Sequence, residues 1–97
     1  MIRHVLVLRW VPGVTPDQAE KAARALNALP EVIPALREMR AGTDIGVRDT
    51  SWDFALVALF DDVAGFRSYL DHPEHLRVSQ EYLTPIIAER ASVQSEI

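Results

Sequence analysis

The first ten residues place the hardest constraint on this chain. From Ile2 to Val11 the side chains divide between two faces, and both faces are largely apolar. Ile2, His4, Leu6, Leu8 and Trp10 fall on one side, and Arg3, Val5, Val7, Arg9 and Val11 on the other. Successive residues of a strand point to opposite faces of its sheet, so a strand like this needs cover on both sides. A chain of 97 residues makes one domain, spanning residues 1–97. It buries only about 60–65% of its unfolded surface, which makes it marginal alone.

The rest of the sequence supplies cover for one face. Pro12-Gly13 stops the first strand. Thr15-Pro16-Asp17-Gln18 is a helix start, with Thr15 as N-cap, Pro16 at the first helical position and Gln18 completing a capping box. Ala19, Ala22, Ala23, Leu26 and Leu29 follow at helical spacing as one buried stripe, and Pro30 is expected to end the helix. A second, weakly patterned strand is expected over residues 36–41, then an exposed polar loop from Gly42 to Ser51. Trp52 to Phe60 is a clear strand, with Trp52, Phe54, Leu56, Ala58 and Phe60 on one face and Asp53, Ala55, Val57 and Leu59 on the other. Asp61-Asp62 opens a second helix that presents Val63, Phe66, Tyr69 and Leu70. Pro73 breaks that helix and restarts it, carrying His75, Val78 and Tyr82 to Pro85. Residues 90–97 alternate apolar with polar, which predicts a last strand.

The order β-α-β-β-α-β predicts an α+β, ferredoxin-like fold, a four-stranded antiparallel sheet with its helices on one face. The bare face would carry Val5, Val7, Ala55, Val57 and Leu59. Its economical cover is a second copy of the same sheet, so a homodimer through the helix-free face is expected. Arg9 and Asp53 fall on that face and are candidates to pair across it.

Composition removes several functions. The chain has no cysteine, which excludes disulfides, thiolate nucleophiles and cysteine metal sites. Net charge is −4 and the ten basic residues are scattered, so nucleic acid is not an expected partner. No apolar run approaches the roughly 20 residues that span a bilayer, and no signal-peptide pattern opens the chain. A cytoplasmic protein is the expectation. No phosphate-binding glycine loop, nucleophile elbow or zinc-protease motif occurs.

Histidine is then the main source of chemistry near neutral pH. His4 lies inside the first strand, and His72 and His75 bracket Pro73-Glu74 just after Tyr69. A His–Tyr pair can remove an α-proton and steady the developing enolate. His75, Tyr69 and His4 are therefore the candidate catalytic residues. His72 reads as a cap at the helix break. A metal site at His72 and His75 is not favoured, because the residue before a proline is rarely helical and no carboxylate converges on them. Trp52, Phe54 and Phe60 read as core or as the wall of an aromatic pocket, with Trp10 closing one end.

The segments Ile2-Arg3-His4-Val5-Leu6-Val7-Leu8, Val32-Ile33-Pro34-Ala35-Leu36 and Tyr69-Leu70-Asp71-His72-Pro73-Glu74-His75 resemble the stress-responsive A/B barrel family, also called dimeric α/β barrel or Dabb proteins. The resemblance spans essentially the whole chain. It implies a homodimer whose two sheets face each other as a barrel, and a small-molecule cavity between sheet and helices in each subunit. Leu6, Leu8, Leu26, Phe54, Leu56, Val78 and Ile86 are the expected ligand contacts. One plant branch consists of polyketide cyclases that close a ring by aldol condensation. There a strand-1 His, the Tyr before the His-Pro-x-His element and its second His line the pocket, and they match His4, Tyr69 and His75. This chain departs from that branch at Phe54, where the branch has a further His, and at Leu26, where it has a Tyr.

Three functions are compatible with these residues. The first is a dimeric protein that binds a small hydrophobic or aromatic ligand. The second is a cofactor-free cyclase, lyase or isomerase acting on a polyketide-like or phenolic compound through the His–Tyr pair. The third is a cofactor-free monooxygenase, a reaction found among related barrels. None needs a metal or cofactor.

Overall fold

The computed structural model describes all 97 residues. Strand β1 (Ile2–Trp10) leads through Gly13 into helix α1 (Pro16–Asn27). A single 3-10 turn (Leu29–Glu31) precedes β2 (Glu38–Thr43) and β3 (Phe54–Phe60). Helices α2 (Val63–Asp71) and α3 (Pro73–Val78) follow, then a wide π-type turn (Ser79–Leu83) and β4 (Ile87–Glu96). The sheet order is β2-β3-β1-β4 and every pairing is antiparallel. This is the ferredoxin-like α+β arrangement.

The alternation in β1 survives as burial. His4, Leu6 and Leu8 are buried on the helix side, and Val5 and Val7 are half-buried on the other. In β3, Phe54, Leu56, Ala58 and Phe60 join the helix-side core, while Val57 and Leu59 stay half-exposed. Helix α1 closes that core with Ala19, Ala22, Ala23 and Leu26. Its start is the reciprocal capping box read from the sequence. The Gln18 backbone N–H donates to the Thr15 hydroxyl, and the Thr15 N–H donates to the Gln18 side chain at 2.9 Å.

Several boundaries differ from the sequence reading. Helix α1 ends at Asn27, three residues before Pro30. The Asn27 side chain leaves the helical register to bond both the N–H and the C=O of Ala41, at 2.8 and 3.0 Å. Those bonds dock the helix end onto β2 and leave Pro30 inside the 3-10 turn. Strand β2 begins at Glu38 rather than Leu36, because Leu36 turns its side chain into the core before the ladder is joined. Trp52 is not on the face of Phe54. The strand begins at Phe54, so alternation does not extend back to Trp52, whose ring lies 4.6 Å from the Arg9 guanidinium on the helix-free side. Arg9 and Asp53 are both engaged within the chain. Arg9 pairs with Glu89 at 3.2 Å, and Asp53 accepts the Trp10 backbone N–H at 2.8 Å.

Candidate functional site

The site grows from the break at Pro73. In an unbroken helix the Glu74 N–H would donate to the Leu70 carbonyl, four residues back. Pro73 turns the preceding residue to extended backbone, and His72 has φ −67° and ψ 133°. From there the His72 side chain caps α3, with Nδ1 accepting the Glu74 N–H at 3.1 Å. The Leu70 carbonyl is thereby released. It takes the Nδ1–H of His75 at 3.1 Å. The His-Pro-x-His spacing is thus a local device: the first histidine occupies the N–H that would otherwise compete for the carbonyl used by the second.

That bond fixes the state of His75. With the proton on Nδ1, the lone pair is on Nε2. His4 is set the other way. The Gln94 side-chain amide on β4 donates to His4 Nδ1 at 3.0 Å and also reaches the Ser92 hydroxyl at 3.4 Å. His4 therefore carries its proton on Nε2. One imidazole offers an acceptor, and the other a donor.

Tyr69 stands beside them. Its ring centroid is 4.2 Å from that of His75 and 5.2 Å from that of Phe60. Phe66 bridges the group, 4.8 Å from His4 and 6.5 Å from Tyr69. Tyr69 is only 2% exposed and His4 only 7%. Even so, no fully buried side-chain polar atom lacks a partner. The Tyr69 hydroxyl, His4 Nε2 and His75 Nε2 make no hydrogen bond to the protein, so each touches space open to water.

Electrostatics keep this group neutral. Burial lowers the His4 pKa from its ordinary value, and the charges of His75 and Arg90 lower it further. Burial also lowers the pKa of His75. The Leu70 carbonyl bond opposes that shift, and Arg90 and His72 add to it. Burial raises the Tyr69 phenol well above its usual value. At pH 7 the set is an uncharged base, an imidazole N–H and a phenol O–H.

The expected ligand contacts divide. Leu6, Leu8, Leu26, Phe54, Leu56 and Val78 interlock in the core behind the imidazoles. Phe54 also reaches a 450 Å³ cleft with Val7 and Trp52, and Ile86 borders a 120 Å³ cleft with Tyr82. No cleft of the structure is itself lined by His4, Tyr69 or His75. The cleft that adjoins the site has a volume of about 410 Å³ and is walled by Ile2, Val63, Phe66, Leu70 and Gln94. Phe66 and Gln94 are the same side chains that contact His4. The half-exposed Val63 and Leu70 therefore face this cleft rather than the core. No three His, Asp or Glu side chains converge as a metal site, and no helix is long and apolar enough to cross a membrane.

Gln94 and Arg90 do not stand out in the sequence as site residues. A signal exists in the parity of β4. If its apolar residues face the bare side of the sheet, then Arg90, Ser92 and Gln94 must face His4.

A family model described as the Stress Responsive A/B Barrel Domain matches residues 2–97. Olivetolic acid cyclase from Cannabis sativa is 23% identical over 83 residues, covering 84% of this chain and 82% of that protein. Among solved structures, a dimeric ferredoxin-like protein of unknown function from Thermobifida fusca is 42% identical at a TM-score of 0.89. That match covers 99% of this chain and 90% of that one. Hydroxynitrile lyase from Passiflora edulis shares the fold at 22% identity and a TM-score of 0.84, covering 99% and 92% of the two chains. The chain belongs to the stress-responsive A/B barrel (Dabb) family.

Proposed function

We propose that this protein is a homodimer that binds a small carbonyl or phenolic compound at His4, Tyr69 and His75 and moves a proton on it without a cofactor. The observation that carries this is the opposite setting of the two imidazoles. His75 Nε2 has the lone pair of a general base, while His4 Nε2–H and the Tyr69 hydroxyl are donors. A base beside two donors suits removal of a proton α to a carbonyl, with the enolate oxygen held by the donors. Aldol ring closure and isomerisation pass through such a step, and cleavage of a hydroxynitrile needs the same base at the hydroxyl proton, with cyanide leaving as the carbonyl forms. Similarity to a cyclase and to a hydroxynitrile lyase supports this class of reaction. The apolar body of the ligand would lie in the cleft of Ile2, Val63, Phe66 and Leu70. Leu6, Leu8, Leu26, Phe54, Leu56 and Val78 would form a rigid backing, with Ile86 at its margin.

The dimer would be formed through the helix-free face. Val5, Val7, Val57 and Leu59 are half-exposed there and Val93 is 63% exposed. A contiguous apolar face of this kind is uncommon on a monomer. The dimeric solved neighbours support the pairing, and two facing sheets would complete the barrel.

The test is exchange of α-protons for deuterium in a panel of ketones and phenols, followed by NMR. The wild-type protein should accelerate exchange well beyond an equal concentration of free imidazole. His75→Ala should remove the effect, and Tyr69→Phe should reduce it by about 10²-fold. Exchange no faster than with imidazole across the panel would defeat the catalytic reading.

A further inference from the structure

Arg90 is the one permanent charge that disfavours protonation of both imidazoles, which are themselves uncharged at pH 7. Arg90 lies opposite Leu8 in the β1–β4 ladder, Ser92 opposite Leu6 and Gln94 opposite His4. Directly opposed residues of an antiparallel pair share a face. Arg90, Ser92 and Gln94 therefore form a polar shelf on the helix side, beside His4. No helix covers it, and all three residues are exposed.

Glu96 shares this face but stands at the far end of the ladder, opposite Ile2, six residues from Arg90, and the other acids near Arg90 are engaged elsewhere. Glu89 lies on the opposite face and holds Arg9 at 3.2 Å. Glu74 and Glu81 are both bound by Arg77, at 2.9 and 3.0 Å. Arg90 makes no ion pair and no side-chain hydrogen bond; Arg24, Arg48 and Arg67 are likewise unpaired, but none of those three lies on a strand of the sheet, while Arg9, Lys21, Arg37, Arg40 and Arg77 each hold a carboxylate. The result is an unpaired guanidinium on the same sheet face as His4, near enough to act on both imidazoles, with Ile2, Phe66 and Leu70 toward the far end of the shelf.

We propose that the ligand of this site is an anion, a carboxylate attached to an apolar or aromatic body, and that Arg90 is the residue that binds the carboxylate. The inference rests on the reading of His4, Tyr69 and His75 as the binding site. A guanidinium matches a carboxylate with two parallel hydrogen bonds. The apolar body of an oxo- or hydroxy-carboxylate would then extend along β4 past the imidazoles toward Phe66. Burial is the main reason the imidazoles stay neutral, and the Arg90 charge that adds to it would attract an anion.

Benzoate and its neutral counterpart benzamide test this at constant ionic strength, with binding followed by the imidazole resonances of His4 and His75. Benzoate is expected to bind about 10-fold tighter than benzamide. Arg90→Gln should bring benzoate down to the benzamide level and leave benzamide unchanged, while Arg90→Lys should retain part of the preference. Equal binding of the two compounds to the wild-type protein would overturn the charge assignment and leave the site intact. Loss of the preference in Arg67→Gln but not in Arg90→Gln would also overturn it, since Arg67 lines the adjoining cleft. Failure of both compounds to shift His4 or His75 at millimolar concentration would overturn the site reading together with this proposal.

Discussion

The imidazole of His75 closes on the backbone carbonyl of Leu70 at 3.1 Å, five residues back along the chain. This contact joins the end of one helix to the start of the next. It exists because His72 takes the Glu74 N–H at 3.1 Å. The geometry makes His72 a positioning residue for His75, and its own backbone N–H donates to the Tyr69 carbonyl at 3.2 Å.

The consequence is measurable at His72. His72→Ala should remove the cap and cost about 0.5–2 kcal/mol. It should also leave the Glu74 N–H without its acceptor and free to compete for the Leu70 carbonyl as the start of α3 loosens, leaving His75 as a mixture of tautomers in ¹⁵N NMR. His72→Asn keeps a capping acceptor and should restore both stability and the single tautomer. A pure Nδ1–H tautomer for His75 in the alanine variant would refute the linkage.

Gln94 makes the matching contact to His4 at 3.0 Å. Gln94→Glu places a carboxylate against Nδ1 and should raise the His4 pKa, because an opposite charge favours the imidazolium. Gln94→Leu should release the tautomer with less than about 0.5 kcal/mol lost in stability, as expected of an exposed position. NMR titration of the His4 Cε1 proton separates the two variants. An unchanged His4 titration in Gln94→Glu would show that the side chain does not bear on His4.

Stability should fall on acidification through the histidine range. Both His4 and His75 have a folded-state pKa below the unfolded value of roughly 6.5. The unfolded chain therefore binds more protons between the two values, and stability rises with pH across that interval. The contribution is fully present above pH 6.5 and is lost as pH falls through the lowered folded values. Urea midpoints at pH 7.5 and pH 5 should differ in that direction. His4→Gln combined with His75→Gln should flatten the difference. Catalysis through neutral His75 should keep its plateau to a pH below 6.5.

The helix-free sheet face gives the last prediction. Val57→Asp or Val7→Asp puts a charge where a second sheet is proposed to pack. Either variant should sediment as a monomer, since an unpaired charge in an apolar interface costs several kcal/mol. A variant that stays a tight dimer would move the interface elsewhere.

Much of this architecture is legible in the amino-acid order alone. The two-faced pattern of β1, the capping box at Thr15, the restart at Pro73 and the cap at His72 all depend on residues within a few positions of one another. Periods of 2 and 3.6, proline geometry and side-chain caps act over that range. The failures lie where a tertiary contact overrode the local rule. Asn27 ends α1 early because β2 supplies its hydrogen bonds. Trp52 turns to the other face because Arg9 is there and the ladder has not yet begun.

The sequence by itself determined the order of elements, the two faces of the first strand and the presence of His4, Tyr69 and His75, the three residues proposed to carry the chemistry. Only the tertiary structure decided how they are set. Gln94 meets His4 across 90 residues of chain, and the register of β4 on β1 brings Arg90 to the same sheet face as His4. Register is a property of two paired strands, and a shift by one residue would send Arg90 and Gln94 to the opposite face. No local pattern contains that choice, so the donor, the acceptor and the charge beside them became visible only once the strands were paired.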